Sequence, residues 1–117
     1  MIGNYINGNH INKNHSSKFI DIYDPSKGES FNKVILSNKK DFDDVMHSSK
    51  NAFISWSSET PLKRSRVLQK YKYILDKNIE TLAKIISTEH GKTLDDAKGS
   101  IIRGLEVVEF AIGIPHL

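Results

Sequence analysis

Residues 89–94 read Glu-His-Gly-Lys-Thr-Leu, and this stretch predicts where one helix ends and the next begins. Gly91 follows an apolar periodic segment, and glycine is the residue that most readily takes the left-handed conformation at a helix end. Thr93 can cap the next helix, and Asp96 three residues later forms a variant of the capping box. The C-terminal half of the chain is therefore predicted to contain consecutive helices joined by a short turn.

The same stretch could place an acid beside a base, since Glu89 and His90 stand close to Lys92. A helix end with a glycine stop and a favourably placed cation explains these residues without any chemistry. We favour this structural interpretation.

Three helices are predicted before this turn, each from apolar residues spaced along one face. Ser37 is the expected N-cap of the first. Thr60 and Pro61 supply a cap and a first-turn proline for the second, and polar residues 76–78 separate it from the third. The apolar positions are Phe42, Val45, Met46, Ala52, Phe53 and Trp56 in the first helix, Leu62, Val67, Leu68, Tyr71, Ile74 and Leu75 in the second, and Ile79, Leu82, Ala83, Ile85 and Ile86 in the third.

The first third of the chain predicts β structure. Asn7-Gly8 is a strong signal for a two-residue hairpin, with a short return strand between His10 and Asn14. Residues 18–23 and 31–36 predict two more strands, joined by the turn at residues 24–28, where Pro25 and Gly28 suit the turn positions. The expected fold class is α+β: a small antiparallel hairpin or sheet in residues 1–36, followed by about four helices in residues 37–117.

The last predicted helix changes character along its length. Its first half has one apolar face through Leu94, Ala97 and Ile101. A helix that is apolar on all sides is normally buried in a larger assembly, and the second half has this pattern. We expect it to expose an apolar patch that needs a partner. The apolar residues of this half are Val107, Val108, Phe110, Ala111, Ile112 and Ile114.

Composition narrows the class of protein. With 117 residues the chain has the size of one ordinary domain, and its 17 basic and 14 acidic residues are mixed along the sequence. The absence of cysteine excludes a disulfide framework, a thiolate metal site and a cysteine nucleophile supplied by this chain. No segment resembles a signal peptide or a membrane-spanning helix, so we expect a cytoplasmic protein without a membrane partner.

Other candidate sites have simpler explanations. The five histidines, at positions 10, 15, 47, 90 and 116, lack the spacing of a metal site, and the seven glycines form no Gly-x-Gly-x-x-Gly fingerprint. The basic run from Lys63 to Lys72, with Tyr71 and Tyr73 interleaved, has a pattern that nucleic-acid surfaces use. A solvated helix face explains that run better, so no nucleic-acid partner is expected.

Arg103 is the candidate binding residue. It lies in a helix whose surroundings become strongly apolar, where an unpaired guanidinium is costly, so a fixed anionic partner is expected. Glu106, or another acidic side chain, would make a structural ion pair. The functional alternative is the carboxylate of a substrate. Structural ion pairs are common, so spacing alone favours the first interpretation.

Short segments along nearly the whole chain resemble the N-terminal part of aldehyde dehydrogenases, specifically the CoA-acylating methylmalonate-semialdehyde type. The most subtype-specific one is Arg-Gly-Leu-Glu-Val-Val-Glu-Phe-Ala-Ile-Gly-Ile-Pro-His-Leu at residues 103–117. Asn9-His10 and the polar stretch 12–17 depart from the family pattern, but they are distant in sequence from Arg103. The other matching segments are Asn4-Tyr5-Ile6-Asn7-Gly8, Asp24-Pro25 with Gly28-Glu29, Ala52-Phe53 with Trp56, Lys63-Arg64 with Arg66 and Leu68, and Glu89-His90-Gly91-Lys92-Thr93.

The resemblance implies a chemistry and a set of cofactors. Such enzymes oxidise methylmalonate or malonate semialdehyde with NAD, form a thioester on a cysteine, and pass the acyl group to CoA with loss of carbon dioxide. It also implies that Arg103 holds the substrate's carboxylate. Residues 1–117 would be an incomplete N-terminal part of the cofactor-binding domain, and the thiol, the base and most nucleotide contacts come later in such proteins. No cofactor is therefore expected to bind this chain alone.

The chain fits two main functional hypotheses, besides a nucleic-acid binder that would use the basic face from Lys63 to Lys72. One is a truncated or split methylmalonate- or malonate-semialdehyde dehydrogenase that is inactive alone, because it lacks a thiol, a base and a nucleotide site. The other is a non-catalytic binding module that docks through its exposed apolar helix on the remainder of the enzyme or on a homologous subunit.

Overall fold

The computed structural model describes residues 1–13 and 15–117. Within them it contains two small antiparallel sheets and four α-helices, which confirms the predicted fold class. Contacts divide the chain into two compact units, Met1–Ser57 and Ser58–Leu117, so the first helix belongs to the unit that holds the strands. The elements of the first unit are β1 (Asn4–Ile6), β2 (Asn9–Ile11), β3 (Phe19–Asp24), β4 (Glu29–Ile35) and α1 (Lys39–Ser57); those of the second are α2 (Pro61–Lys77), α3 (Ile79–His90), α4 (Leu94–Gly113) and a 3₁₀ turn, Ile114–His116.

The hairpin of β1 and β2 turns at Asn7 and Gly8, as predicted. Both residues have positive φ, 51° and 77°, which a two-residue turn requires when its twist matches that of the strands. The return strand ends at Ile11, so it is shorter than the predicted one; Asn14, at the end of that prediction, lies outside the described residues.

The sheet of β3 and β4 is closed by the predicted turn. The Asp24 carbonyl accepts hydrogen bonds from the amides of Lys27 (3.1 Å) and Gly28 (2.8 Å). The Asp24 carboxylate accepts from the Ser26 hydroxyl and amide, and these bonds, led by the hydroxyl, lower the pKa of Asp24 despite its burial. The turn is therefore held by a side chain as well as by the backbone. Ile2 adds a short parallel bridge beside Val34.

Helix α1 begins one residue later than the sequence suggests. The Asn38 side-chain oxygen accepts from the amides of Lys40 (2.9 Å) and Asp41 (3.2 Å), and the Asp41 carboxylate accepts from the Asn38 amide (2.8 Å). Prediction of Ser37 as the N-cap is therefore wrong. Asn38 is the N-cap because the acidic residue three positions later completes a reciprocal capping box with it. The Ser37 hydroxyl bonds instead to the side chain of Asn4.

The helix boundaries of the second unit follow the sequence closely. Thr60 caps α2 ahead of Pro61, and Gly91 ends α3 in the left-handed conformation with φ 80°. The Thr93 side chain accepts from the Asp96 amide at 3.2 Å and so caps α4. Helix α4 packs against both α2 and α3. The side chains that these helices bury are Ser65, Ala83, Ala97 and Leu105.

Two predicted apolar faces are exposed in this structure. On α1, Phe42 and Phe53 are 60% and 64% exposed. On the second half of α4, Val107 and Phe110 are 67% and 69% exposed, which is the apolar patch that the sequence predicts. Among the described residues, no helix has both the length and the apolar character needed to cross a membrane.

Candidate functional site

Arg103 lies on an exposed face in the middle of α4. Its Nη2 donates a hydrogen bond to Ser100 Oγ at 3.1 Å, one turn earlier. A methyl group added at Gly99 would lie 3.6 Å from Arg103 Nη1, so the guanidinium lies back along the helix towards its N-terminus.

The expected carboxylate partner of Arg103 is not observed. Within residues 1–13 and 15–117 the structure shows no ion pair between Arg103 and Glu106 or any other acidic side chain. The expectation assumed an apolar environment, whereas Arg103 is an exposed residue and water can solvate its charge. The hydroxyl of Ser100 takes the place that the sequence suggested for a carboxylate.

Ser100 brings a second cation to the same place. Its Oγ accepts a hydrogen bond from Lys92 Nζ at 2.8 Å as well as the one from Arg103. It donates its own proton to the carbonyl of Asp96 at 3.2 Å. One hydroxyl oxygen therefore receives two cationic donors that come from different segments of the chain.

Lys92 is held in this position by the turn between α3 and α4. The Ser87 hydroxyl donates to the Lys92 carbonyl at 2.8 Å, and the Lys92 side chain is only 17% exposed, with Nζ 3.6 Å from Asp96 Oδ2. The stop at Gly91 is as expected, but the ammonium group faces the first turns of α4 and not the end of α3. Lys92, Asp96, Ser100 and Arg103 are called the Arg103 cluster below.

The cluster has an excess of positive charge and open donors. It contains two cations but one carboxylate, and Asp96 is 63% exposed. A guanidinium has five N–H donors, of which Arg103 uses one within the described part of the chain. Its remaining edge is suited to binding a carboxylate through two parallel hydrogen bonds.

A nearby ion pair fixes the two helices that frame the cluster. Lys98 Nζ lies 2.6 Å from Glu80 Oε1 and links α4 to α3. The hydrogen bond that Lys98 donates to Glu80 raises the pKa of Lys98, with smaller contributions from the charges of Glu80 and Asp95 and an opposing one from burial. The lysine therefore stays charged well into the alkaline range.

Two of the histidines contact polar side chains that are distant in sequence. His15 Nε2 lies 2.9 Å from Asp44 Oδ2, and His116 Nε2 lies 3.1 Å from Ser65 Oγ. Across the described residues, no three His, Asp or Glu side chains group closely enough to hold a metal ion.

The basic run on α2 is partly neutralised by acidic neighbours. Lys63 pairs with Glu59, and Lys72 lies 3.2 Å from Asp76, each four residues away on the chain. Such pairs are typical of a solvated helix face.

The matches with known proteins cover nearly the whole chain. The sequence pattern of the aldehyde dehydrogenase family matches residues 11–116 of this chain. This chain belongs to the aldehyde dehydrogenase family. The two small sheets and four helices correspond to the N-terminal part of that fold.

Individual relatives of this aldehyde dehydrogenase chain act on semialdehydes, according to their names. Malonate-semialdehyde dehydrogenase 2 of Bacillus cereus is 41% identical over all 117 residues, which are 24% of the relative. The acylating mitochondrial methylmalonate-semialdehyde/malonate-semialdehyde dehydrogenase of Homo sapiens is 39% identical over 87% of this chain and 19% of its own length. The chain thus spans about a quarter of the length of the curated relatives it matches.

Solved structures show the same relationship. A Sinorhizobium meliloti protein named as a methylmalonate-semialdehyde dehydrogenase, crystallised with NAD, superimposes with a TM-score of 0.93 at 42% identity. The match covers 98% of this chain and 23% of that one.

Sequence reasoning found Arg103 but missed its two supporting residues. One feature of the sequence could have indicated Ser100: its position three residues before Arg103 on a predicted helix. No feature of the sequence indicates Lys92, because only the turn between α3 and α4 brings it to Ser100.

Proposed function

We propose that residues 1–117 are the N-terminal part of the cofactor-binding domain of an NAD-dependent, CoA-acylating malonate- or methylmalonate-semialdehyde dehydrogenase. Similarity over the full chain to relatives with these names supports the subtype. The observation that carries the proposal is the open guanidinium edge of Arg103, because both semialdehydes have a carboxylate beside the aldehyde to be oxidised.

In this proposal Arg103 binds the substrate's carboxylate. A bidentate guanidinium fixes the direction of a carboxylate as well as its position, which a lysine ammonium cannot do. Holding the non-reacting end of a small substrate orients the aldehyde for attack and lowers the entropic part of the barrier. Arg103 would therefore set substrate choice, while the bond-breaking steps use residues elsewhere in the enzyme.

The chain is proposed to be inactive alone. It has no cysteine to form an acyl intermediate, and its seven glycines form no phosphate-binding pattern. We therefore assign no step through NAD or CoA to these residues. In the complete enzyme NAD would accept the hydride, and the contacts that hold it would lie in the rest of the protein.

The test is CoA-dependent NADH production from malonate semialdehyde, measured on the chain alone and after adding a recombinant remainder of a relative such as the Bacillus cereus enzyme. Activity is expected only in the mixture. Turnover by the chain alone, abolished in Arg103→Ala, would disprove the proposed inactivity.

In the active mixture, Arg103→Ala should lower kcat/KM for malonate semialdehyde about 10- to 100-fold, the equivalent of about 1.5–3 kcal/mol for a charged hydrogen bond. Propanal has no carboxylate and serves as the matched substrate, whose kcat/KM should change little. Arg103→Lys keeps the charge but loses the planar fork, so it should recover only part of the loss. Equal losses for both aldehydes would contradict the carboxylate role.

A second candidate function is a non-catalytic module that docks on the remainder of the enzyme or on a homologous subunit. The exposed side chains of Val107 and Phe110 favour it, because apolar patches of this kind commonly mark protein interfaces. Co-purification of a cysteine-containing dehydrogenase chain with this one, lost in Phe110→Asp, would support docking. A monodisperse monomer in the presence of that chain would argue against it.

We also propose that the chain is cytoplasmic and binds no nucleic acid. The ion pairs of Lys63 and Lys72 support the second point, since they neutralise part of the basic run. Salt-sensitive binding to an oligonucleotide would overturn the absence of nucleic-acid binding. Recovery of the chain outside the cytoplasmic fraction would overturn the cytoplasmic location.

A further inference from the structure

We propose that Ser100 is a positioning residue for Arg103, and that Lys92 holds Ser100 in the orientation this requires. The inference rests on the proposed carboxylate role of Arg103 only where it says that this positioning aids substrate binding. Its physical basis is the hydrogen bonding of one hydroxyl group.

A serine hydroxyl has one proton to donate and two lone pairs that accept. Ser100 donates its proton to the Asp96 carbonyl, one turn back on α4. Both lone pairs are then directed away from that carbonyl, and the oxygen accepts two hydrogen bonds, one from Lys92 Nζ and one from Arg103 Nη2. Every hydrogen-bonding position of the hydroxyl is occupied, so its rotation is restricted.

The restriction matters because arginine is long and flexible. An exposed arginine samples many rotamers and must lose that freedom when it binds a carboxylate. The bond to Ser100 holds the guanidinium over Gly99 before any ligand arrives, with the rest of its donors still open. Ser100 therefore prepares Arg103 for binding without contacting the ligand.

Lys92 contributes in two ways. Its side chain is mostly shielded from water, so its ammonium has fewer alternative positions than that of a freely solvated lysine and stays bonded to Ser100 Oγ more persistently. It also adds a second positive charge beside Arg103, which makes an incoming carboxylate more favourable and an incoming cation less so. The site that results suits a small carboxylate.

The test uses the full 117-residue chain labelled with ¹⁵N and follows the Arg103 Nε–Hε signal, assigned with Arg103→Lys. The measured quantity is the heteronuclear NOE, which falls as the side chain becomes more mobile. Exposed Arg66 on α2 is the internal reference for a mobile arginine. Ser55→Ala is the matched control, because Ser55 Oγ also donates to a backbone carbonyl of its own helix, at 3.2 Å.

In the wild-type chain the Arg103 NOE should exceed that of Arg66. Ser100→Ala should lower it to the Arg66 value, and Ser100→Thr, which keeps a hydroxyl able to bond the preceding turn, should restore it. Lys92→Met should lower it partly. Ser55→Ala should leave it unchanged. An unchanged NOE in Ser100→Ala would overturn the proposal, since the variant improves helix propensity and circular dichroism can verify that it folds.

A titration with 3-hydroxypropanoate, a carboxylate of the substrate's size, separates the inference from the proposed function. Ser100→Ala should weaken binding at Arg103 about 2- to 10-fold, the effect of immobilising one flexible side chain, and Ser55→Ala should not. If no variant binds, the wild type included, while the NOE still falls in Ser100→Ala, the positioning contact stands and the carboxylate role fails. Equal binding by Ser100→Ala and wild type would remove the role of Ser100 in recognition.

Discussion

The two compact units of this chain bury different kinds of side chain. In the second unit Ala83 and Ala97 are completely buried on α3 and α4, the two helices that pack against each other. In the first unit the buried side chains include two carboxylates, Asp24 and Asp41, and Ile35 is the one buried apolar side chain among residues 1–13 and 15–57. The second unit is therefore held by close helix packing, and the first mainly by hydrogen bonds: those of the β3–β4 sheet, of the turn at Asp24 and of the cap of α1.

This difference explains where the candidate site lies. A cluster that aligns charged side chains needs a backbone that does not shift, and small buried residues let helices approach closely and pack rigidly. Ala97 precedes Ser100 by three residues on the same helix. The comparison predicts that core substitutions should disturb the second unit most and that loss of polar contacts should disturb the first.

The largest effect is expected from Ala83→Leu. The added side chain has no space between α3 and α4, and overpacking of this kind costs about 1–3 kcal/mol. Urea unfolding followed by circular dichroism gives the total loss, and amide hydrogen exchange shows whether it falls on residues 58–117. Ala52→Leu on the exposed surface of α1 is the control and should change stability by less than about 0.5 kcal/mol. Similar losses in the two variants would contradict the packing argument.

Ser65→Ala should come next, at about 1–2 kcal/mol, because it leaves a carbonyl near the end of α4 without its donor. Ser65 is 2% exposed and its Oγ donates to the Ile112 carbonyl at 2.6 Å. Hydrogen exchange should accelerate in the last turn of α4 and in the 3₁₀ turn. Ser55→Ala, which removes an exposed hydroxyl, should cost much less. A Ser65→Ala chain as stable as wild type would show that this bond adds nothing.

Asn38→Ala should cost about 1 kcal/mol in the first unit through loss of the N-cap of α1. Trp56, the single tryptophan, lies on α1, so its fluorescence during urea unfolding reports this helix. Ser37→Ala is the paired variant and should cost less, because its hydroxyl bonds to Asn4 and not to helix amides. A larger loss of stability in Ser37→Ala than in Asn38→Ala would show that Ser37 is the cap.

The smallest effect concerns acid stability. The Asn38 amide, with further help from the His15 amide and charge, lowers the pKa of Asp41 below its ordinary value of 3.8, although burial opposes this. The stabilisation is therefore complete above that ordinary value and is lost as the pH falls through the lower folded-state pKa. Asp41→Asn keeps an acceptor but not the charge, so its stability should fall less steeply than that of wild type below about pH 4. Parallel pH curves from Trp56 fluorescence would refute this.

Local signals in the sequence predicted most of the fold correctly. Asn7-Gly8, Thr60-Pro61, Gly91 and Thr93 each specify a backbone conformation through their own chemistry, and each lies where the structure needs it. The prediction of Ser37 as N-cap was wrong because two adjacent residues are both able to cap a helix. The hydrogen bond between Asp41 and Asn38 makes Asn38 the cap, and the spacing of these two residues is visible in the sequence.

The candidate site was only partly predictable for a different reason. Arg103 and Ser100 share one helix, but Lys92 reaches them through a turn whose exact path depends on packing between α3 and α4. The contact between Ser65 and Ile112 joins residues 47 positions apart and has no local signature. Exposure of Arg103 also depends on what surrounds the helix, which periodicity alone does not specify.

The left-handed conformation of Gly91 limits which sequences can build this site. Every other L-residue is strained at φ 80°, and asparagine least among them, so substitution there would tilt the chain as it enters α4. The displacement would move Lys92 away from Ser100 before any functional side chain had changed. A position with no side chain thus constrains how this family member can diverge, since the charged residues can vary only while the turn that aligns them is kept.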